Sequence, residues 1–235
     1  MMDVKGKRAV VFGGTSGIGL AATKQLAALG AEVIAVSRNP DKAGDLLAGV
    51  SVRACDVLDR AGLQSLFASL APFDILVSAA TGGTRAVGPF LKMDMDGFAN
   101  SFDKLWGYAN VVRFGTEHLS EDGAIVLVSG SPARSNSSGM VAVGSTGAAV
   151  EQMVRYVAPE IAPRRLNVVA PGIIDTPMNP LQGTEREAAY AKSTARFTIP
   201  RPGTADEVAQ AILFAITNDF VTGTTIDVDG GWLLT

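Results

Sequence analysis

The residues best suited to chemistry lie first in one short stretch, residues 10–19 (VVFGGTSGIG). An apolar β-branched run, Ala9 to Phe12, turns through Gly13, Gly14, Gly17 and Gly19. It then enters a helix with apolar positions at Ile18, Ala22, Leu26 and Leu29. The first N–H groups of a helix have no intrahelical partner and carry partial positive charge. Glycine lets that backbone approach an anion such as a phosphate closely. Gly30 stands where a left-handed helix cap is expected.

The other chemically able residues are few. His118 is the single histidine and Cys55 the single cysteine, so no Cys/His metal cluster is expected. His118 sits near a helix end and reads as a solvated side chain. Arg85 and Arg134 fall in loops expected at the ligand end of a sheet. Either could hold an anionic substrate; the plain alternative is an exposed loop arginine. Tyr108 lies one helical turn from Lys104, so the two can share a face, with packing the simpler role for Tyr108. The run Ser135-Asn136-Ser137-Ser138 reads as a polar loop.

The elements that must position these groups follow from hydrophobic patterning. Residues 31–38 form a second buried strand, so strand, glycine turn, helix and strand make the βαβ dinucleotide unit. A second helix is expected from Asn39-Pro40-Asp41. Val50–Ala54 is a strand, and Asp59 caps a helix with Leu63, Leu66, Phe67 and Leu70 inward. Residues 74–80 form a strand ending in small residues, before Thr81-Gly82-Gly83. Residues 94–118 look helical, with Phe98, Phe102, Leu105 and Val112 as core positions. Further strands are expected at 123–128, 165–169 and 225–228, with a buried helix at 140–158. Thr204 to Glu207 is a capping box before a helix bearing Val208, Ile212 and Ile216. Residues 178–201, bounded by prolines, read as a mobile lid. Strands alternating with helices imply an α/β fold, a doubly wound parallel sheet with helices on both faces.

Composition narrows the partners. The 235 residues fit a single domain, 1–235, and the 47% hydrophobic fraction supports a sizeable core. The net charge of −3, without a lysine/arginine cluster, argues against nucleic acid. No apolar run reaches membrane-spanning length, and no signal peptide precedes the glycine turn. One cysteine fits a reducing compartment. A cytoplasmic protein acting on a small molecule is expected.

The chain resembles the short-chain dehydrogenase/reductase family along its whole length. Residues 12–19 match its glycine turn, and Asp56 matches the aspartate that reaches the adenine. Ser78-Ala79-Ala80-Thr81 is a degenerate form of its NNAG segment. Residues 166–176 match VNxVxPGxxxT, and residues 228–231 match its closing DGG. The resemblance implies a Rossmann-type sheet of about seven parallel strands. It implies a cofactor site formed by Gly13, Thr15, Ser16, Gly17, Ile18 and Gly19 around the pyrophosphate. Asp56, Val57, Ser78, Ala79 and Ala80 continue it, with Pro171, Gly172, Ile174 and Thr176 at the far end. It also implies a homodimer or homotetramer. At the end of the second strand an acid would hydrogen-bond the ribose hydroxyls. Here Ser37 and Arg38 stand instead, a pair suited to a 2′-phosphate, so NADP(H) is expected over NAD(H).

The acid/base half of the family pattern is different. The resemblance puts Lys104 at the family's Asn, Gly130 at its Ser, Val143 at its Tyr and Gly147 at its Lys. Neither Val143 nor Gly147 offers a donor or cation. The expected chemistry therefore passes through Lys104, whose ammonium burial and a positive nicotinamide would make more acidic. Ser129 or Ser131, flanking Gly130, would orient the substrate oxygen. The alternative for Lys104 is a structural bond to loop carbonyls or a carboxylate. Two functions remain open: an NADP(H)-dependent oxidoreductase acting on a small carbonyl or alcohol, or a catalytically silent NADP(H)-binding sensor or partner subunit.

Overall fold

Seven β-branched or otherwise apolar stretches line up as one parallel sheet in the order β3-β2-β1-β4-β5-β6-β9. The computed structural model describes residues 1–42, 48–81 and 83–235. Its strands are β1 (Arg8–Phe12), β2 (Glu32–Ser37), β3 (Val50–Ala54), β4 (Phe73–Ser78), β5 (Leu119–Val128), β6 (Arg165–Pro171) and β9 (Thr225–Val228). A separate pair, β7 (Ile174–Asp175) and β8 (Gly203–Thr204), joins the segment after β6 to the last helix. The helices are α1 (Gly17–Ala28), α2 (Arg60–Leu70), α3 (Met95–Asn100), α4 (Asp103–Gly115), α5 (Val141–Glu160), α6 (Gly183–Thr194) and α7 (Ala205–Thr217).

The period of two along each strand divides the core into two layers. Val10 and Phe12 of β1, with Ile125 and Leu127 of β5, face α2, α4 and α5. Ala9 and Val11, with Ala124 and Val126, face α1 and α7. Each helix supplies an apolar stripe: Leu63, Phe67 and Leu70 on α2, Leu26 on α1, Val208, Ile212 and Ile216 on α7. The Asp59 carboxylate accepts from the Gly62 N–H at 3.0 Å, and the Thr204/Glu207 capping box opens α7.

Three boundaries differ from the sequence reading. Leu29, expected on the buried face of α1, is 50% exposed, because the helix ends there and Gly30 turns away at φ +88°. The stretch 94–118 is two helices, broken at Ser101 and Phe102, with Phe98, Phe102 and Leu105 only half-buried. The Ser101 hydroxyl donates to the Gly97 carbonyl and accepts from the Ala86 N–H, tying the break to the preceding loop. Strand β5 starts four residues early, at Leu119 opposite Phe73, across a register shift in β4. The helix expected from Asn39 shows a short 3-10 turn at Pro40–Lys42; its continuation, and Gly82 of the loop after β4, lie outside the described residues.

Candidate functional site

Between β1 and β4 the strand order reverses, and connections leave in opposite directions, opening a crevice at the carboxyl ends. A cavity of about 600 Å³ lies there. One end sits above β2 and β3, lined by Ser37, Arg38, Cys55, Asp56 and Val57. The middle is the glycine turn, with Gly13, Thr15, Ser16, Gly17, Ile18 and Gly19 in the wall. The far end lies above β4, β5 and β6.

The turn is shaped as an anion cradle. Gly13 and Gly17 hold φ of +75° and +50°, which side chains rarely adopt. A Cβ on Gly19 would lie 2.2 Å from the Gly13 carbonyl oxygen, so the chain closes on itself only without a side chain there. Ser16, the residue before α1, makes no side-chain cap, leaving the first N–H groups of the helix to the cavity. An uncapped helix start behind a glycine cradle fits a pyrophosphate.

At the second-strand end, the Ser37 hydroxyl accepts from the Asn39 N–H at 3.3 Å. The Asp56 carboxylate accepts from the Leu58 N–H at 2.9 Å, which fixes it at the cavity rim. Burial raises the Cys55 thiol to about 11, with Asp59 and Asp56 adding to the shift, so this thiol is no nucleophile at neutral pH.

The far end carries the cations. The Lys104 Nζ, brought in by the first turn of α4, donates to the Ser129 carbonyl oxygen at 3.0 Å. It lies 5.6 Å from the Tyr108 ring centroid. Burial, and then the Arg85 charge, lower its pKa to about 7, against an upward pull from Glu151. Arg85 enters the same cavity from the loop after β4, and its guanidinium contacts the Met178 thioether. Tyr108 is buried, donating its hydroxyl to the Val128 carbonyl at 2.9 Å; burial lifts that phenol far above its ordinary value. Val143 and Gly147 of α5 line the wall below.

Behind this wall a polar chain runs from the buried Ser129 and Glu151 out to the exposed Asp227. The Ser129 hydroxyl shares its one hydrogen between Glu151 Oε1 at 3.2 Å and the Gly147 carbonyl oxygen at 3.3 Å. Glu151 Oε2 meets Arg134 Nε at 3.1 Å, and Arg134 also pairs with Asp227. Burial raises the Glu151 carboxyl, opposed by Arg134 and Ser129.

The family model for enoyl-(acyl carrier protein) reductase matches residues 13–233. The chain belongs to the short-chain dehydrogenase/reductase family. Carbonyl reductase family member 4 of Danio rerio is 33% identical over 95% of this chain and 96% of its own. L-xylulose reductase of Mus musculus is 29% identical over 100% of this chain and 99% of its own. A solved small-chain dehydrogenase in complex with NADPH matches with a TM-score of 0.83 at 29% identity, over 98% of this chain and 100% of that one.

The short-chain dehydrogenase/reductase site holds most of the residues expected from sequence. Ala79, Ala80, Pro171, Gly172, Ile174 and Thr176 line the cavity beside the turn. Two do not. Ser78 is fully buried as the last residue of β4, pointing into the sheet's packing instead of the crevice wall. Ser131 is also fully buried, drawn inward by the 3-10 turn Ser131–Ala133. Ser129 reaches the cavity, but its hydroxyl is turned toward α5. Arg134 is taken by Glu151 and Asp227, which leaves Arg85 as the loop arginine in the cavity wall.

Sequence reasoning missed Glu151, whose signal was a lone carboxylate between Val150 and Val154 on an apolar helix. It also missed Met140, Tyr190 and Trp232, cavity residues brought from three distant segments. Within the expected lid, α6 is pinned: Arg186 pairs with Asp175, and the Tyr190 hydroxyl donates to the same carboxylate at 3.2 Å. Among the described residues no helix is long and apolar enough to cross a membrane.

Proposed function

We propose that the chain is an NADP(H)-dependent oxidoreductase that exchanges hydride with a small carbonyl or alcohol substrate through a non-standard acid/base arrangement. The observation that carries this is one cavity with an uncapped helix start in its middle and the Lys104 ammonium at its far end. Ser37 and Arg38 in the wall at the β2 end support a 2′-phosphate, and the similar dehydrogenase solved with NADPH supports the same choice.

When bound, NADPH supplies the hydride. The α1 N-terminus and the glycine turn would hold its pyrophosphate, with Asp56 and Val57 lining the end that would take the adenine. Reduction places negative charge on the carbonyl oxygen of the substrate. Lys104 Nζ, protonated, donates to that oxygen, while the Ser129 carbonyl fixes the ammonium by its other hydrogen bond. In the alcohol-oxidising direction the neutral amine accepts the proton. Val143 contributes an apolar wall that keeps water from the reacting carbon. The assembly is a homodimer or homotetramer and the compartment cytoplasmic.

A second reading, a silent NADP(H)-binding sensor or partner subunit, is favoured by Val143 and Gly147, which supply no donor. Fluorescence titration with NADPH followed by NADPH oxidation over a carbonyl panel separates the two. Turnover that disappears in Lys104→Met supports the oxidoreductase; tight binding with no turnover across the panel supports the silent protein; no binding overturns both.

A further inference from the structure

The far end of the cavity is positive. Arg85 and Lys104 both line it, close enough that one charge lowers the pKa of the other. Among the described residues the cavity's acidic side chain is Asp56, and it sits at the opposite end, after β3. Among the described residues Arg85 has no carboxylate within ion-pair distance, and its side-chain partner is the Met178 sulfur. Its guanidinium faces a thioether, a weak acceptor, across the mouth of the cavity. Two like charges held together in a semi-enclosed space are costly unless something anionic joins them. A guanidinium presents a planar fork that matches a carboxylate with two parallel hydrogen bonds. Val87, Met140, Val143 and Trp232 add apolar surface to this end of the wall, beside the polar Thr146 and Asn179.

We propose that the substrate of this site carries a carboxylate, which Arg85 holds while the carbonyl to be reduced is presented to Lys104. This rests on the oxidoreductase reading and adds a substrate class to it: oxo-acids with an apolar body. The anion also orients the molecule. With its carboxylate fixed at the loop after β4, the carbonyl turns toward α4 and the crevice. An oxo-acid bound this way leaves as the corresponding hydroxy acid, the carbonyl gaining a hydride and a proton.

The test is a binding measurement that needs no turnover. Branched 2-oxo and 3-oxo carboxylates and their carboxamides are titrated by calorimetry into the protein saturated with NADP+. The acids should bind roughly ten- to hundredfold more tightly than the amides. Arg85→Gln should erase that preference, and Arg53→Gln, an exposed change on β3 outside the cavity, should keep it. Equal affinity of acid and amide, an acid preference that survives Arg85→Gln, or no binding of any acid overturns the proposal. A tighter fit for inorganic phosphate than for every oxo-acid also overturns it. NADPH oxidation is read separately. Arg85-dependent acid binding without turnover sinks the oxidoreductase reading alone, and reduction of neutral ketones without an acid preference sinks the carboxylate alone.

Discussion

Lys104 and Ser129 meet through 3.0 Å between an ammonium and a main-chain carbonyl, at the point where β5 ends and α4 begins its course below the crevice. The bond uses one of three ammonium hydrogens. The others are available to a ligand on the cavity side. A pKa near 7 makes this group both loaded and dischargeable close to neutrality.

The first prediction concerns pH. Proton donation needs the ammonium, so kcat for carbonyl reduction should fall as pH rises through about 7. Alcohol oxidation needs the amine and should rise over the same range. Lys104→Met should lower reduction by ~10²–10⁴ and remove that inflection. Steady-state profiles from pH 5 to 9 read this; wild-type rates in the variant would take Lys104 out of the chemistry.

The second uses its electrostatic neighbours in opposite senses. Arg85 pushes the Lys104 pKa down and Glu151 pulls it up. Arg85→Gln should therefore move the inflection to higher pH, and Glu151→Gln to lower pH. Each is followed by the pH profile of kcat, with circular dichroism to confirm folding. Movement of both in one direction would contradict the charge account.

Gly19→Ala is the third. Its Cβ would meet the main-chain carbonyl oxygen of Gly13 at 2.2 Å, an atom that cannot rotate away, so the turn must open. Overpacking of this kind costs ~1–3 kcal/mol. The folded fraction should lose most of its NADPH affinity in a fluorescence titration. Unchanged binding would mean that the pyrophosphate lies elsewhere.

For cofactor choice, Arg38→Ala should weaken NADPH binding and leave NADH binding nearly as it was. A charge-assisted hydrogen bond contributes about 1.5–3 kcal/mol, or roughly ten- to hundredfold in affinity. Parallel titrations measure the ratio, and a ratio unaltered by the substitution refutes the phosphate role.

Local rules made much of the scaffold legible. The run from Ala9 to Ser37 announces its strand, turn, helix and strand through glycine placement and β-branching alone, and the Thr204/Glu207 box marks α7. What stayed hidden depends on contacts between distant segments. The break at Ser101 is settled by a hydroxyl bridging α3 to the loop at Ala86, which no periodicity reports. Leu119 joins β5 because Phe73 waits opposite it, across a shifted register. In the site, the glycine turn was readable because one stretch builds it. The direction of the Ser129 hydroxyl was not, since it answers to Glu151, 22 residues onward. Ser131 and Ser129 are alike in sequence terms; the 3-10 turn that buries one and leaves the other at the cavity is a tertiary outcome.

Gly147 sits in a space with little room for a side chain. Any side chain there starts with its Cβ 3.0 Å from both Ser129 Oγ and Ala133 Cβ. A lysine installed at 147 would press on the Ser129 hydroxyl, which must give by a few tenths of an ångström beside the buried Glu151 carboxylate it donates to. A tyrosine at 143 alone would bring a phenol into a wall with no cation beside it on α5. The Ser129 hydroxyl and the Ala133 methyl already occupy the space beyond Gly147, so hydrogen is the side chain that fits there with no shift of its neighbours.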